Sequence, residues 1–154
     1  MSSFCIRLGW AVIALACWGA PVCAQVRPLD IDDVLSMESF GVVSMAPGGD
    51  MIVYERRGPY DSAPRYDLGH RSVWTIADLV VVDLKTRGEP QRLLPSEQGA
   101  GLILGPWSPS GRRLLVYRLA DDRLEAGIAD PTARTVRWTG LTPDIPFSGD
   151  HAGW

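Results

Sequence analysis

Ser44-Met45-Ala46-Pro47-Gly48-Gly49-Asp50, followed by Met51-Ile52-Val53-Tyr54, decides the fold, because the same design returns as Trp107-Ser108-Pro109-Ser110-Gly111-Arg112, followed by Arg113-Leu114-Leu115-Val116-Tyr117. In each copy a proline presets φ, a glycine accepts a positive φ, and apolar residues follow. That pattern reads as a tight turn feeding a strand. A second strand comes later in each copy, Asp78-Leu79-Val80-Val81-Val82-Asp83 in the first and Glu125-Ala126-Gly127-Ile128-Ala129-Asp130 in the second. Each ends on an aspartate and a turn, Lys85-Thr86-Arg87-Gly88 or Pro131-Thr132-Ala133-Arg134. A further strand closes each unit, Gln91-Arg92-Leu93-Leu94 or Thr135-Val136-Arg137-Trp138. Internal similarity with period-two apolar patterning predicts an all-β chain made of repeated units over 40–94 and 101–141.

Units of ~40–50 residues in this order are the pattern of β-propeller blades, which normally have four strands each. Gly105-Pro106-Trp107 opens the second turn, and Ala152-Gly153-Trp154 repeats that opening near residue 152. The expected architecture over 40–154 is therefore an incomplete β-propeller, about two blades plus the start of a third. Two blades leave open edges and unpaired faces. The reading that follows is the first part of a longer protein, the alternative being a two-unit protein that pairs with itself.

Upstream of the repeat, residues 25–39 form a short helical lead. Asp30 is placed to cap the helix that begins at Ile31, and Asp32 and Asp33 favour the positive end of its dipole. Leu29 and Val34 have the spacing of a hydrophobic staple, and Ile31, Val34 and Leu35 share one face. The aspartates lack the glycine and distal glutamate of a calcium loop, so capping is the reading and no metal is expected.

Residues 1–24 read as a signal peptide. Arg7 is the sole charged side chain before Arg27, Leu8 to Trp18 is an apolar run broken only by Gly9, and Val22 and Ala24 stand at −3 and −1 of a cleavage point after Ala24. The run falls short of the ~20 apolar residues that cross a bilayer, so no membrane span is expected after cleavage. An uncleaved anchor is the alternative, or a lipoprotein through Cys17 or Cys23, although Ala14 and Ala20 stand where the usual Leu would precede them. All 3 cysteines lie in the leader. The mature chain would then have neither a disulfide framework nor a cysteine metal site. Together these features imply an exported, periplasmic protein.

The composition agrees with a globular domain. The chain has 154 residues, 46% hydrophobic, 21% charged and 8% aromatic, which excludes a disordered tail, a collagen-like fibre and a coiled coil. Its net charge is −3 and its pI about 5.3, so a nucleic-acid partner has no electrostatic support. Loss of Arg7 with the leader makes the mature chain one unit more acidic.

Aligning the units leaves about fifteen extra residues in the first, a long loop of the kind that often binds something. They fall between Gly58 and Thr75, where Pro59, Pro64, Gly58 and Gly69 argue against both helix and strand. Tyr60, Arg65, Tyr66, Asp67, His70 and Arg71 are the candidate contact residues. Tyrosine gives contact area at low entropic cost, and arginine gives fork-shaped recognition of carboxylates or carbonyls. The alternative is a loop packed over the face of the fold, with Asp61 or Asp67 paired to Arg65 or Arg71. His70, one of 2 histidines, reads as a hydrogen-bonded loop residue. Trp74, Trp107, Trp138 and Trp154 read as packing between units rather than as a sugar platform.

No catalytic set is visible. G-x-S-x-G, G-x-x-x-x-G-K-[ST], G-x-G-x-x-G and H-x-x-x-H are all absent from the sequence, and no cofactor is implied. Ser108 and Ser110 fit turn positions better than a nucleophile's.

The leader, the short acidic helix and the two turn-strand repeats resemble the N-terminal propeller of the prolyl oligopeptidase family of serine peptidases. The stretch from Tyr54 to Trp74, with Leu115-Val116-Tyr117-Arg118-Leu119 and Trp138-Thr139-Gly140-Leu141-Thr142-Pro143, is similar to the lasso peptide isopeptidases within that family. The likeness runs from about residue 28 to the end. It implies a propeller followed by a C-terminal α/β-hydrolase domain bearing Ser, His and Asp, which hydrolyses the isopeptide bond that closes a lasso peptide's ring. None of those three residues can be placed in this chain, which on this reading is inactive alone and has the lasso peptide and the missing hydrolase domain as partners. Gly48 and Ser110 stand where the repeat of such propellers carries Asp. The competing reading is a non-catalytic periplasmic propeller that binds a protein or peptide.

Overall fold

The computed structural model describes residues 27–95, 101–120, 122–143 and 154. Two antiparallel four-stranded sheets carry the architecture, each strand lying beside its neighbours in sequence. The first holds β1 (Ser39–Met45), β2 (Met51–Arg57), β3 (Ala77–Asp83) and β4 (Gln91–Arg92). The second holds β5 (Leu102–Trp107), β6 (Leu114–Ala120), β7 (Arg123–Asp130) and β8 (Thr135–Trp138). The mostly-β expectation therefore stands. The leader and the opening of a third unit at Ala152 and Gly153 lie outside the described residues.

The repeated turns share their hydrogen bonds and the φ of their glycines. Ala46 N–H donates to the Met51 carbonyl and Gly49 N–H to that of Ala46, each at 2.8 Å; Ser108 and Gly111 repeat both bonds, to Arg113 and Ser108, again at 2.8 Å. Gly49 and Gly111 both adopt φ of +68°, a region that costs a side chain-bearing residue energy. The second turns match too. Asp83 Oδ1 accepts from the backbone N–H groups of Lys85 (2.8 Å) and Thr86 (3.2 Å), and Asp130 Oδ1 accepts from Ala133 N–H (3.0 Å). Each terminal aspartate is thus a turn-forming side chain. Those N–H groups hold both carboxyls below their ordinary range.

Three local expectations need correction. A strand precedes each turn, β1 and β5, so each unit has four strands rather than the three visible in sequence. β4 stops at Arg92, and Leu93 and Leu94 are buried in the core instead of extending the strand. The helix α1 (Ile31–Leu35) has the expected capping box, with Asp33 accepting from Asp30 N–H at 2.9 Å, but it buries no residue. Ile31 and Val34 are exposed, so the shared apolar face of the helix is not packed.

The main core lies between the sheets. Val53, Leu79, Val81, Leu93 and Leu94 from the first meet Leu102, Leu104, Leu114, Val116 and Ala129 from the second, with Trp107 and Trp138 packed against them. Fully burying each such leucine contributes roughly 1.5–3 kcal/mol. The far side of the second sheet carries a smaller cluster of Tyr117, Leu124 and Ala126, against which Trp74 packs. The far side of the first sheet is open along β1: Phe40, Val43 and Met45 are 70%, 62% and 55% exposed, opposite Arg56, Tyr54 and Ile52 in register. Met45 pairs with Ile52 as Trp107 pairs with Leu114, so the face left open on the first sheet corresponds to the face that the second sheet buries.

One polar group crosses the apolar interface. Glu55, 2% exposed, accepts at Oε1 from Leu104 N–H of the other sheet (3.0 Å), and at Oε2 from Val42 N–H (3.3 Å) and Arg57 Nη2 (2.9 Å). Both backbone donors border a bulge, where register shifts between Phe40 and Val43 and between Leu104 and Trp107. A bulge leaves backbone groups out of the ladder, and burial makes an unpaired donor costly. The carboxylate supplies that partner. Gly41 leaves the room: a Cβ there would lie 2.1 Å from Glu55 Oε2.

Candidate functional site

The two sheets differ most between their second and third strands. In the second, β6 ends at Ala120 and β7 starts at Arg123. In the first, residues 58–76 intervene, closed at their base where Gly58 N–H donates to the Ile76 carbonyl at 3.0 Å. The sequence predicted neither helix nor strand here. The structure forms two short 3₁₀ segments, Tyr60–Ser62 and Gly69–Ile76. Proline and glycine shape them rather than prevent them: Pro59 precedes the first, and Gly69 enters the second at φ +60°.

Beneath this surface Ser72 is fully buried, Leu68 and Ala63 are buried, and Trp74 reaches the cluster of the second sheet. On top, Tyr60 and Tyr66 stack at a tilt with ring centroids 5.5 Å apart. The Tyr66 hydroxyl donates toward the carbonyls of Tyr60 (3.1 Å) and Asp61 (2.9 Å), which fixes a ring that is 52% exposed. His70, also exposed, meets the Trp74 ring edge-on at 6.0 Å. Such pre-ordered aromatic rings offer contact area without a large ordering cost on binding.

The charged candidates are arranged differently. Arg65 forms a fork on Asp67, Nε to Oδ1 at 3.0 Å and Nη2 to Oδ2 at 2.5 Å, as one of the pairings expected from sequence. The guanidinium holds the Asp67 carboxyl below its usual range, and Asp67 in turn raises the pKa of Arg65. Arg65 also reaches Asp122 Oδ1 of the second sheet at 3.0 Å, and Arg71 Nη1 donates to the Asp122 carbonyl at 3.3 Å. The structure therefore brings Tyr60, Tyr66, Asp67 and Arg65 together, with His70 over Trp74, and turns Arg65 and Arg71 toward the β6–β7 hairpin.

Two residues escaped sequence reasoning. Glu55 carried a usable signal, a charge on the inward parity of an apolar strand, two positions after Val53. Asp122 carried only that of a hairpin turn; its contact with a loop far away in sequence had none.

The opposite end of the stack holds a cleft of about 380 Å³ lined by Asp50, Asp83, Lys85, Thr86 and Arg134 among others. Asp50 is already paired with Lys85 Nζ at 2.8 Å, and Asp83 is bound to its own turn. Ser108 Oγ accepts from Arg113 N–H at 3.0 Å and lies 3.2 Å from Ser110 Oγ, a turn arrangement. Among the described residues no group of three or more His, Cys, Asp or Glu side chains converges as a metal site would require, and no helix is long and apolar enough to cross a membrane.

No protein-family model matches this chain, and no curated protein matches it. Among solved structures it is similar to one described as AtxE2 isopeptidase in its apo form, at 14% identity and a TM-score of 0.48. The alignment covers 76% of this chain and 20% of that one, so the chain spans about a fifth of the protein it is aligned with.

Proposed function

We propose that the chain is the N-terminal, substrate-contacting β part of an exported serine peptidase of the prolyl oligopeptidase type, acting in the whole enzyme on the isopeptide bond of a lasso peptide. In this reading the two sheets are successive blades of a propeller, and further blades cover the open apolar face at Phe40, Val43 and Met45. The observation that carries it is the insertion at 58–76. It gathers Tyr60, Tyr66 and His70 at one end of the stack, where the second sheet has only a hairpin. A surface of this kind binds but does not cut. The bond-breaking step belongs to a separate Ser-His-Asp domain, in which Ser attacks the carbonyl, His takes its proton and Asp orients the His. This chain would grip the peptide and present it.

The test is a titration of the mature chain, from residue 25, with a purified lasso peptide, followed by NMR. Shifts confined to residues 58–76 and weakening of about tenfold or more in a Tyr66→Ala/His70→Ala variant support the grip. Absence of binding, or unchanged affinity in the variant, refutes it. Reading the gene beyond the codon for Trp154 separates the two classes of protein. Further repeats followed by G-x-S-x-G support the peptidase, whereas further repeats alone favour a non-catalytic binding protein.

A further inference from the structure

The insertion has two parts held in different ways. Its later part is packed: Ser72 and Leu68 are buried and Trp74 joins the second cluster. Its earlier part, residues 59–67, buries only Ala63. An ion pair reaches from that part to the other sheet. Arg65, already oriented by its fork on Asp67, bonds Asp122 with 38% and 69% of the two side chains exposed. Exposed pairs of this kind are weak and are screened by salt. A weak catch on a segment whose base is firmly packed has the physical character of a latch.

We infer that residues 59–67 form a strap latched across the two sheets by Arg65 and Asp122, which swings open as a unit when that pair is released while residues 72–83 stay in place. The strap carries Tyr60 and Tyr66, so its opening changes the surface at this end of the molecule. Arg71, bound to the Asp122 main-chain carbonyl, steadies the hairpin that provides the catch. The inference concerns the chain's own motion and does not depend on the proposed substrate.

Hydrogen exchange on the mature chain tests it with Arg65→Gln, Asp122→Asn and the double variant. Asp122→Asn is expected to speed exchange in 59–67 about two- to fivefold, Arg65→Gln, which also removes the fork on Asp67, at least as much, and the double no further than Arg65→Gln alone, because the Asp122 change then has no Arg65 contact left to remove. Exchange in 72–83 and in β6 and β7 stays as it was. On the unmodified chain, about 1 M sodium chloride reproduces the same local rise, which keeps the test open if a variant fails to fold. Unchanged exchange in 59–67 in the variants or in salt overturns the latch. So does a rise shared equally by β3 and β7, which would make the strap part of global opening.

Discussion

The first and second sheets share their strand order, both turns and even the φ of the turn glycines, yet they differ at two places. At the end away from the repeated turns, the first sheet carries the 58–76 insertion where the second has a tight hairpin. On the face toward its successor, the first sheet carries Glu55, where the matching position of the second, three residues beyond the Met45–Ile52 and Trp107–Leu114 pairs, is Tyr117. The shared features build the unit, and the differences individualise it. Chain reversal needs the same backbone geometry each time, so the turns repeat. The interface and the free end face different surroundings in each unit, so they diverge.

Glu55 offers the sharpest way to break this comparison. Glu55→Ala leaves Leu104 N–H buried without a partner and takes the carboxylate from Val42 N–H and Arg57, and is expected to cost about 3–5 kcal/mol by chemical denaturation. Tyr117→Phe, at the matching position, is expected to cost about 1 kcal/mol or less. Similar costs at both positions would show that the carboxylate is not what distinguishes the first interface.

Next in size come the turn glycines. Gly49→Ala and Gly111→Ala each place a side chain at φ of +68° and should each cost roughly 1–2 kcal/mol. Neither added Cβ is blocked: nothing lies within 4 Å at Gly49, and the nearest atom at Gly111 is 3.5 Å away. Their penalties should therefore agree, and a large disagreement between the two melting curves would show that the turns are not equivalent.

The pH dependence sharpens the same point. Asp83 and Asp130 are held below the ordinary carboxylate range by their turn N–H groups. Their contribution is complete above the unfolded pKa, ~3.9, and is lost as pH falls through the lower folded value. Asp83→Asn and Asp130→Asn should flatten the acid limb of a urea-midpoint profile to a similar degree. Asp78 has the opposite sign. Burial raises its pKa despite Arg92 at 3.0 Å, so its contribution is complete below the unfolded pKa and declines as pH rises through the raised one. Asp78→Asn should remove that decline, and an unaltered profile would contradict the assignment. The smallest effect is expected at the tip of the insertion, where His70→Ala should change stability by no more than about 0.5 kcal/mol.

Much of the fold was legible because its determinants are local. Pro47-Gly48-Gly49 and Pro109-Ser110-Gly111 encode turns through their own backbone preferences, and Asp83 and Asp130 cap turns within three residues of themselves. What was not legible depends on residues far apart. Ile31 and Val34 show a helical apolar stripe, but a stripe does not reveal whether anything covers it. Leu93 and Leu94 look like strand residues, and only the position of the second sheet turns them into core. Of the candidate site, the residue types and the Arg65–Asp67 pairing were readable, since those two side chains are close in sequence. The attachment to Asp122, far along the chain, was not, because charge complementarity on an exposed surface specifies no partner.

The central claim is that these two sheets stack face to face through one apolar core, the arrangement that makes them successive units. The direct measurement is a methyl–methyl NOE spectrum of the chain from residue 25 with labelled leucine and valine. Cross-peaks linking Leu79 and Val81 of β3 to Leu102 and Leu104 of β5 are predicted, with none linking β3 to Leu115 on the far side of the second sheet. Absence of the first set, or its replacement by contacts to Leu115, would contradict the account.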